Sequence, residues 1–187
     1  MSPGGFFVSH PDVVIDPAVP VPRWHLADEG IARLRRLAAR LEGVSAVWAS
    51  AETKAIESAG ILAARFGLPV QVHPGLGEMD RSSTGYLPRE EFEGVADAFF
   101  ARPEESVRGW ERAVDATRRI ALAAEEILAR HDGGELILVG HGGTGTLLMC
   151  AWAGRRATRA DDQPAAGCTW RFEGRPPRVT QGWRAIA

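Results

Sequence analysis

The sequence Glu135-Leu136-Ile137-Leu138-Val139-Gly140-His141-Gly142-Gly143 decides the fold. Leu136–Val139 form a short apolar run that ends at Gly140, and such a run is typical of a strand buried on both faces of a parallel sheet. His141 follows at the carboxyl end of this strand, where open α/β sheets hold their ligands. The stretch therefore predicts both the class of fold and the place of a site.

Helix and strand signals alternate on both sides of this run. Strands are predicted at residues 5–10, 44–49 and 70–72, two short strands within 168–186, and helices over 28–41, 52–66, 107–130 and 145–152. This order predicts an α/β fold of three layers, α/β/α, with a largely parallel central sheet. No composition break marks a second domain, so residues 1–187 are interpreted as a single domain.

Residues 77–105 interrupt the pattern. They carry glycine, proline, serine and charges, with one apolar patch at Phe92, Val95, Phe99 and Phe100. A long irregular segment inside a compact domain is usually functional or mobile, which favours a small cap inserted over a site. In the helix predicted over 52–66, helical spacing should turn four side chains towards the core: Ile56, Ala59, Leu62 and Ala63.

The composition is that of an ordinary globular protein. Of 187 residues, 45% are hydrophobic and 25% are charged, and the formal net charge of -2 gives no electrostatic footprint for nucleic acid. No run approaches the roughly 18 apolar residues of a membrane span, and no signal peptide is recognised. Two cysteines, Cys150 and Cys168, imply no disulfide framework. We expect a cytoplasmic protein with no nucleic-acid or membrane partner, and a homo-oligomer is left open.

Two histidines fall at predicted strand ends. His10 follows the first strand and His141 follows the buried one, so their imidazoles face one another if the two strands are neighbours. One imidazole could then attack phosphorus while the other holds an oxygen of the same group, because neutral imidazole is a competent nucleophile near pH 7. Taken singly, each could instead be a hydrogen-bonded loop histidine. A two-histidine metal site is the other option, although no acidic or cysteine ligand lies at tight spacing beside either.

Two further residues are predicted to enter the same edge of the sheet. Lys54 lies in the first turn of the helix after the second strand, and it is the one lysine among 22 basic residues. Glu78 follows the third strand at the start of the cap, where a carboxyl group could protonate a leaving alcohol and then activate water. A surface lysine and a loop carboxylate are the alternative interpretations.

Five segments in order resemble the histidine phosphatase superfamily, specifically its phosphoglycerate-mutase-like branch. The family opens with a strand ending Arg-His-Gly, continues with Leu-Thr-x-x-Gly, Ser-Ser/Ala-x-x-x-Arg-Ala-x-x-Thr-Ala and Leu-x-Glu-x-Asp, and closes with a strand ending His-Gly-Gly. The corresponding segments here are Ser9-His10-Pro11, Leu26–Gly30, Ala49–Ala59, Leu76–Asp80 and Gly140–Gly143. The order and spacing match through nearly the whole chain.

The resemblance implies a role for each matched residue. His10 would form a phosphohistidine, His141 would bind the transferring phosphoryl group, and Glu78 would act as general acid and then base. Independently of the resemblance, the loop amides after Gly140, that of Gly142 among them, could cradle an anion at the start of the following helix. The resemblance also implies catalysis without a metal or another cofactor, on a small phosphorylated substrate.

Two positions depart from the family pattern. The family binds phosphate with two arginines, and Ser9 and Lys54 stand at those positions. Serine offers one donor without a charge, and lysine is a point charge that lacks the planar fork of arginine. Pro11 also removes a backbone N–H that glycine would offer to an anion. We expect Arg23, which directly follows the proline-rich stretch 17–22, to supply the missing charge. The alternative interpretation is that Arg23 is a surface residue of this loop.

These observations favour a phosphomonoester hydrolase that acts through a phosphohistidine on a small phosphorylated metabolite. The alternative is a binding or regulatory module of the same fold with weakened catalysis, as Ser9, Pro11 and Lys54 suggest. A phosphoglycerate-mutase-type phosphotransferase is a third option that needs extra basic groups for a carboxylate, for which Arg81 and Arg89 in the cap could serve.

Overall fold

A computed structural model describes residues 4–187 as one sheet of six strands with helices on both faces. The strands are β1 (Gly4–Ser9), β2 (Val44–Ala49), β3 (Val70–Val72), β4 (Glu135–Gly140), β5 (Cys168–Glu173) and β6 (Arg178–Ala185). The helices are α1 (Asp28–Arg40), α2 (Thr53–Ala64), α3 (Arg89–Ala101), α4 (Ala113–Ala129) and α5 (Gly142–Trp152). Within this part of the chain, no helix is long and apolar enough to cross a membrane.

The strand order is β3-β2-β4-β1-β5-β6, which places the quoted strand β4 in the middle of the sheet. β4 pairs in parallel with β1 and with β2, and β2 pairs in parallel with β3. β5 and β6 extend the sheet in antiparallel fashion from β1. The prediction of a three-layer α/β fold with a largely parallel sheet is confirmed.

β4 is buried on both faces because its side chains alternate between two separate cores. Leu136 and Leu138 pack into the core beneath α3, α4 and α5. Ile137 and Val139 pack into the core beneath α1 and α2. All four side chains are fully inaccessible to water, and burying each contributes on the order of 1.5–3 kcal/mol, so β4 ties the three layers together.

Three sequence-based predictions about helices were wrong. The segment 77–105 is not irregular throughout, because α3 occupies Arg89–Ala101 and buries the predicted apolar patch. The helix predicted from residue 107 begins at Ala113, because Arg108 has a left-handed backbone (φ 51°) and Gly109 follows at φ 81°, which breaks a helix there. The last helix starts at Gly142 instead of residue 145.

The inward face predicted for α2 is right for three of its four side chains. Ala59, Leu62 and Ala63 are buried, whereas Ile56 is 38% exposed. Both cysteines are buried and free.

Candidate active site

His10 and His141 lie side by side because the strands that carry them are neighbours. β1 and β4 run in parallel with Ser9 opposite Gly140, and the His10 N–H donates to the Gly140 carbonyl at 3.0 Å. The two imidazole rings have centroids 5.3 Å apart and meet edge to face at 68°. The strand-end argument thus found two residues that the structure brings together.

The His10 imidazole is held in one tautomer. Its Nδ1 lies 2.9 Å from the Pro11 carbonyl oxygen, and since a carbonyl can only accept, Nδ1 carries the proton. Nε2 therefore keeps its lone pair. Burial, assisted by the charge of Lys54, lowers the pKa of His10 from 6.5 to about 4, so the ring is neutral near pH 7.

His141 is fully buried at the N-terminus of α5. Its Nε2 lies 2.8 Å from Ser50 Oγ and 3.3 Å from Glu52 Oε1. Burial lowers the pKa of His141 well below its ordinary value, although the Glu52 carboxylate opposes the change. Nδ1 of His141 has no hydrogen-bond partner among residues 4–187, and a buried polar atom of this kind fits a site that a ligand completes.

Lys54 is buried beside the histidines, but its charge is already paired. Its Nζ lies 2.5 Å from Glu52 Oε2 and donates to the Val21 carbonyl at 3.0 Å, and its side chain is 3% exposed. Burial alone would raise the pKa of the Glu52 carboxyl, but His141, Lys54 and the Glu78 N–H outweigh it and lower that pKa to about 2. The surface alternative for Lys54 was wrong, yet the lysine is not a free cation.

Glu78 is fixed in position by its backbone while its carboxyl group stays unengaged. Its N–H donates to Glu52 Oε1 at 3.0 Å, and Arg119 of α4 donates to its carbonyl at 3.0 Å. Oε1 of Glu78 is buried without a hydrogen-bond partner in the described chain. Burial raises the pKa of Glu78 from 4.5 to about 7, with Arg81 opposing the rise, so a substantial fraction is protonated near neutral pH.

Ser9 is completely buried, and its hydroxyl bonds to Gln163 and Cys168 and to neither histidine. Its Oγ accepts from the Cys168 N–H at 2.9 Å and donates to Gln163 Oε1 at 2.5 Å. The Gln163 side chain in turn lies over Gly142, and a Cβ built on Gly142 would come within 2.2 Å of Gln163 Nε2. Ser9 thus acts on the site through Gln163.

Two adjoining cavities open at this edge of the sheet. The inner cavity, of about 200 Å³, has His10, Lys54, Gly142 and Gln163 in its lining. The outer cavity, of about 490 Å³, is walled by the proline-rich loop 17–22 and by Tyr86. Glu78 and Arg81 line both cavities, so they lie where the two cavities meet.

The structure does not bring Arg23 into this site. Arg23 is exposed at the end of the turn Val21–Arg23 and lines neither cavity, although Val21 and Trp24 on either side of it line the inner one. Arg81 lies there instead, with its guanidinium 5.1 Å from the Phe92 ring. Among the described residues Arg81 makes no salt bridge, so its charge is available.

The arrangement supplies the parts of a group transfer. A neutral imidazole with a lone pair and a partly protonated carboxyl group border one small cavity with two cations, one of them paired. The first turn of α5 adds backbone N–H groups without helical partners, which favour an anion. In residues 4–187, no three His, Cys, Asp or Glu side chains converge in a way that could hold a metal ion.

Sequence reasoning missed four residues of this site. Ser50 and Glu52 follow β2 at the same edge of the sheet, so the rule that led to Lys54 could have found them. Arg81 was considered only as a partner for a substrate carboxylate. Gln163 comes from a loop without a motif, 154 positions from its partner Ser9, and the sequence held no signal for it.

Comparisons with known proteins agree with the fold. The family model described as histidine phosphatase superfamily (branch 1) matches residues 21–178, a span that begins beyond His10. No curated protein matches the chain. Eight solved structures that match it share 14–21% of their residues with it, so they show the fold alone.

Three of these structures illustrate the likeness. Bacillus stearothermophilus YhfR superposes with a TM-score of 0.81 at 21% identity, covering 99% of this chain and 98% of that one. A mycobacterial glucosyl-3-phosphoglycerate phosphatase gives 0.77 at 18%, covering 99% and 100%. A phosphoserine phosphatase from Entamoeba histolytica, in complex with 3-phosphoglyceric acid, gives 0.78 at 14%, covering 98% of each chain.

Proposed function

The chain belongs to the histidine phosphatase superfamily (branch 1), and on that premise we propose that it hydrolyses phosphomonoesters of a small metabolite through a phosphohistidine at His10. One observation carries the proposal: the unprotonated Nε2 of His10 and the partly protonated carboxyl of Glu78 border the same cavity. A nucleophile and a proton donor are therefore both in the required state at one pH.

The first step transfers the phosphoryl group to the protein. The lone pair of His10 Nε2 forms a bond to phosphorus while the bond from phosphorus to the ester oxygen breaks. The proton of the Glu78 carboxyl goes to the leaving oxygen, which departs as an alcohol. The large outer cavity beyond Glu78 accommodates this alcohol.

The second step returns the protein to its starting state. The Glu78 carboxylate takes a proton from water, the water oxygen bonds to phosphorus, and the bond between phosphorus and Nε2 breaks. Inorganic phosphate leaves, and Glu78 is protonated again. In this proposal neither step needs a metal, because Arg81 and the first-turn amides of α5 at the inner cavity, together with His141 beside His10, would stabilise charge on the transferred group.

Arg81 supplies the positive charge that Ser9 and Lys54 do not. Phosphoryl transfer depends on stabilising charge on the equatorial oxygens. Glu52 balances the charge of Lys54, whereas Arg81 lines the inner cavity without a carboxylate partner among the residues described. This assignment replaces the hypothesis that Arg23 compensates.

A second candidate is a phosphate-binding or regulatory protein with little turnover. The ion pair between Lys54 and Glu52 favours it, because a carboxylate beside the phosphate site repels the anion that the lysine would attract. The two candidates differ in whether phosphorus ever becomes bonded to His10.

One experiment separates them. The wild-type protein, His10→Ala and a matched control, His25→Ala at an exposed position, are incubated with a panel of phosphate esters. We expect turnover for the wild type and the control, none for His10→Ala, and an acid-labile phosphohistidine after rapid quenching. Turnover that survives His10→Ala unchanged would contradict the mechanism. Binding of phosphate without hydrolysis of any ester and without label on His10 would favour the second candidate.

A further inference from the structure

We propose that the side-chain amide of Gln163, oriented by Ser9, donates a hydrogen bond to an oxygen of the phosphoryl group. This assignment rests on the proposed function and extends it, because it gives a role to Ser9, the residue before the nucleophile His10. Gln163 belongs to the loop between α5 and β5 and lines the inner cavity together with His10 and Gly142.

The hydrogen bonds of Ser9 decide which way the amide points. Ser9 Oγ accepts from the Cys168 N–H, and its hydroxyl group has a single proton to donate. The candidate acceptors are Gln163 Oε1 at 2.5 Å and the Cys168 carbonyl at 3.3 Å. Oε1 of Gln163 is the nearer of the two acceptors and takes this proton, so Oε1 faces Ser9 and the NH2 group faces the other way.

The NH2 group lies against the N-terminus of α5. Gly142 is the first residue of that helix, and the position where its Cβ would be is 2.2 Å from Gln163 Nε2. The N–H groups of the first helical turn lack helical acceptors there. Gly142 and Gln163 both line the inner cavity, so the amide adds its two donors beside the backbone donors of this helix end, and such a set of donors favours an anion.

The loop that carries Gln163 is fixed from two sides. The Gln163 N–H donates to Asp162 Oδ1 at 2.8 Å, and the same oxygen accepts from Thr146 of α5 at 3.2 Å. Arg159 pairs with Asp162 and also with Asp97 of α3, the latter at 2.9 Å. A donor held in place before the substrate arrives stabilises charge without reorganisation in the reaction step, which is what makes such donors effective.

Three variants separate a donor role from a structural one. Gln163→Leu removes the NH2 group and the acceptor, Ser9→Ala removes the group that orients the amide, and Gln163→Glu keeps an oxygen acceptor for Ser9 while it removes the donor and adds a negative charge. Gln71→Leu, at an exposed position of the edge strand β3, is the matched control.

We measure kcat and KM with a phosphate ester, and affinity for inorganic phosphate by calorimetry. A lost hydrogen bond to a charged oxygen should weaken phosphate affinity about 10-fold to 100-fold in Gln163→Leu, and a lost transition-state donor should lower kcat about 100-fold. Ser9→Ala should show a smaller loss of the same kind, Gln163→Glu the largest, and the control none.

The first test comes from Gln163→Glu. Its carboxylate can still accept from Ser9, but it also places a negative charge beside the anion, so a loss in this variant agrees with the inference without proving it. Activity and phosphate affinity equal to those of the wild type would overturn the inference. A wild type that hydrolyses no ester contradicts the proposed function, and the calorimetric comparison still tests Gln163. Wild-type turnover with an unaffected Gln163→Leu refutes the role of Gln163 and leaves the proposed function standing.

Discussion

The ammonium group of Lys54 lies 2.5 Å from a carboxylate oxygen of Glu52, inside a site proposed to hold phosphate. The pair is almost fully buried, at 3% and 14% exposure. Burying an ion pair gains little stability by itself, but removing one partner leaves an uncompensated buried charge. Glu52 therefore both anchors Lys54 and weakens its attraction for an anion.

Glu52→Gln should bind phosphate more tightly than the wild type while unfolding more easily in phosphate-free buffer. Removal of the carboxylate exposes an approaching phosphate to the full charge of Lys54, and we expect an affinity gain of about 10-fold, worth about 1.4 kcal/mol. The unpaired lysine should cost about 3 kcal/mol of stability. Calorimetry and thermal unfolding with and without phosphate measure both effects, because a ligand stabilises the state that binds it.

The control for this change is Glu57→Gln, which removes a carboxylate from the same helix where it pairs with the exposed His25. It should leave phosphate affinity unchanged. A Glu52→Gln variant with equal or weaker phosphate affinity would indicate that Lys54 does not face the anion.

Arg81→Met should lower kcat/KM by about 100-fold, the size of loss seen when one donor to a transition-state anion is removed. Arg81 lines both cavities, whereas Arg23 lines neither, so Arg23→Met is the matched control and should retain activity. Steady-state kinetics with one phosphate ester decides between them. Retained activity in Arg81→Met together with a loss in Arg23→Met would instead assign the compensating charge to Arg23.

The value of kcat/KM should rise, pass through a maximum and then fall as pH increases. His10 must be neutral, so kcat/KM should rise as pH increases through about 4, and Glu78 must be protonated, so it should fall as pH increases through about 7. Glu78→Gln should lower kcat/KM at least about 100-fold for an alkyl phosphate. The loss in kcat/KM should be much smaller for a nitrophenyl phosphate, whose leaving group needs no proton. An alkaline limb that persists in Glu78→Gln would assign it to another group.

The sequence predicted the fold because the determinants of the sheet are local. The apolar run Glu135–Gly140 identifies the central strand, and the glycines after it end the strand at the site. The helix α3 could also have been found: Phe92, Val95, Phe99 and Phe100 recur at helical spacing, but Gly94 and the surrounding charges obscured the pattern.

The site was predictable only as far as it follows strand ends. His10, His141 and Glu78 obey that rule, and the structure places all three around one cavity or directly behind it. The state of Lys54 was not predictable, because residues two apart do not face each other within a helix, and Glu52 reaches Lys54 only because it precedes the helix as its N-cap. The contact between Ser9 and Gln163 depends on the loop path alone.

Glu78→Gln should stabilise the fold at alkaline pH and leave it unchanged at acidic pH. The pKa of Glu78 in the folded protein, about 7, lies above its ordinary value of 4.5, so the folded state favours the protonated form. This contribution is fully present below pH 4.5 and is lost as pH rises through 7. At about pH 8 and above the buried charge costs on the order of 3 kcal/mol, which an uncharged glutamine avoids.

Urea unfolding of both proteins across this range measures the difference. Glu125→Gln, at an exposed position of α4, is the control and should show no such pH-dependent gain. A Glu78→Gln variant less stable than the wild type at alkaline pH would mean that the carboxylate is stabilised by contacts that keep it charged, and Glu78 could not then serve as the acid.

Gly142→Ala should weaken phosphate binding without weakening the fold. The new methyl group would lie 2.2 Å from Gln163 Nε2, 2.5 Å from its Cδ and 2.9 Å from its Cγ, so the side chain must move and its hydrogen bond with Ser9 is lost. Alanine is a better helix former than glycine by up to about 1 kcal/mol, which offsets the lost hydrogen bond, so stability should change little. Gly145→Ala contrasts with it, because its methyl would meet the enclosed Phe7 ring at 2.4 Å and should cost about 1–3 kcal/mol of stability.

A double-mutant cycle completes the test of Gly142→Ala. With Gln163→Ala already present, Gly142→Ala should cause no further loss of phosphate affinity, since the two changes remove the same donor. Additive losses would mean that Gly142→Ala acts on the anion independently of Gln163 and does not work by displacing the amide.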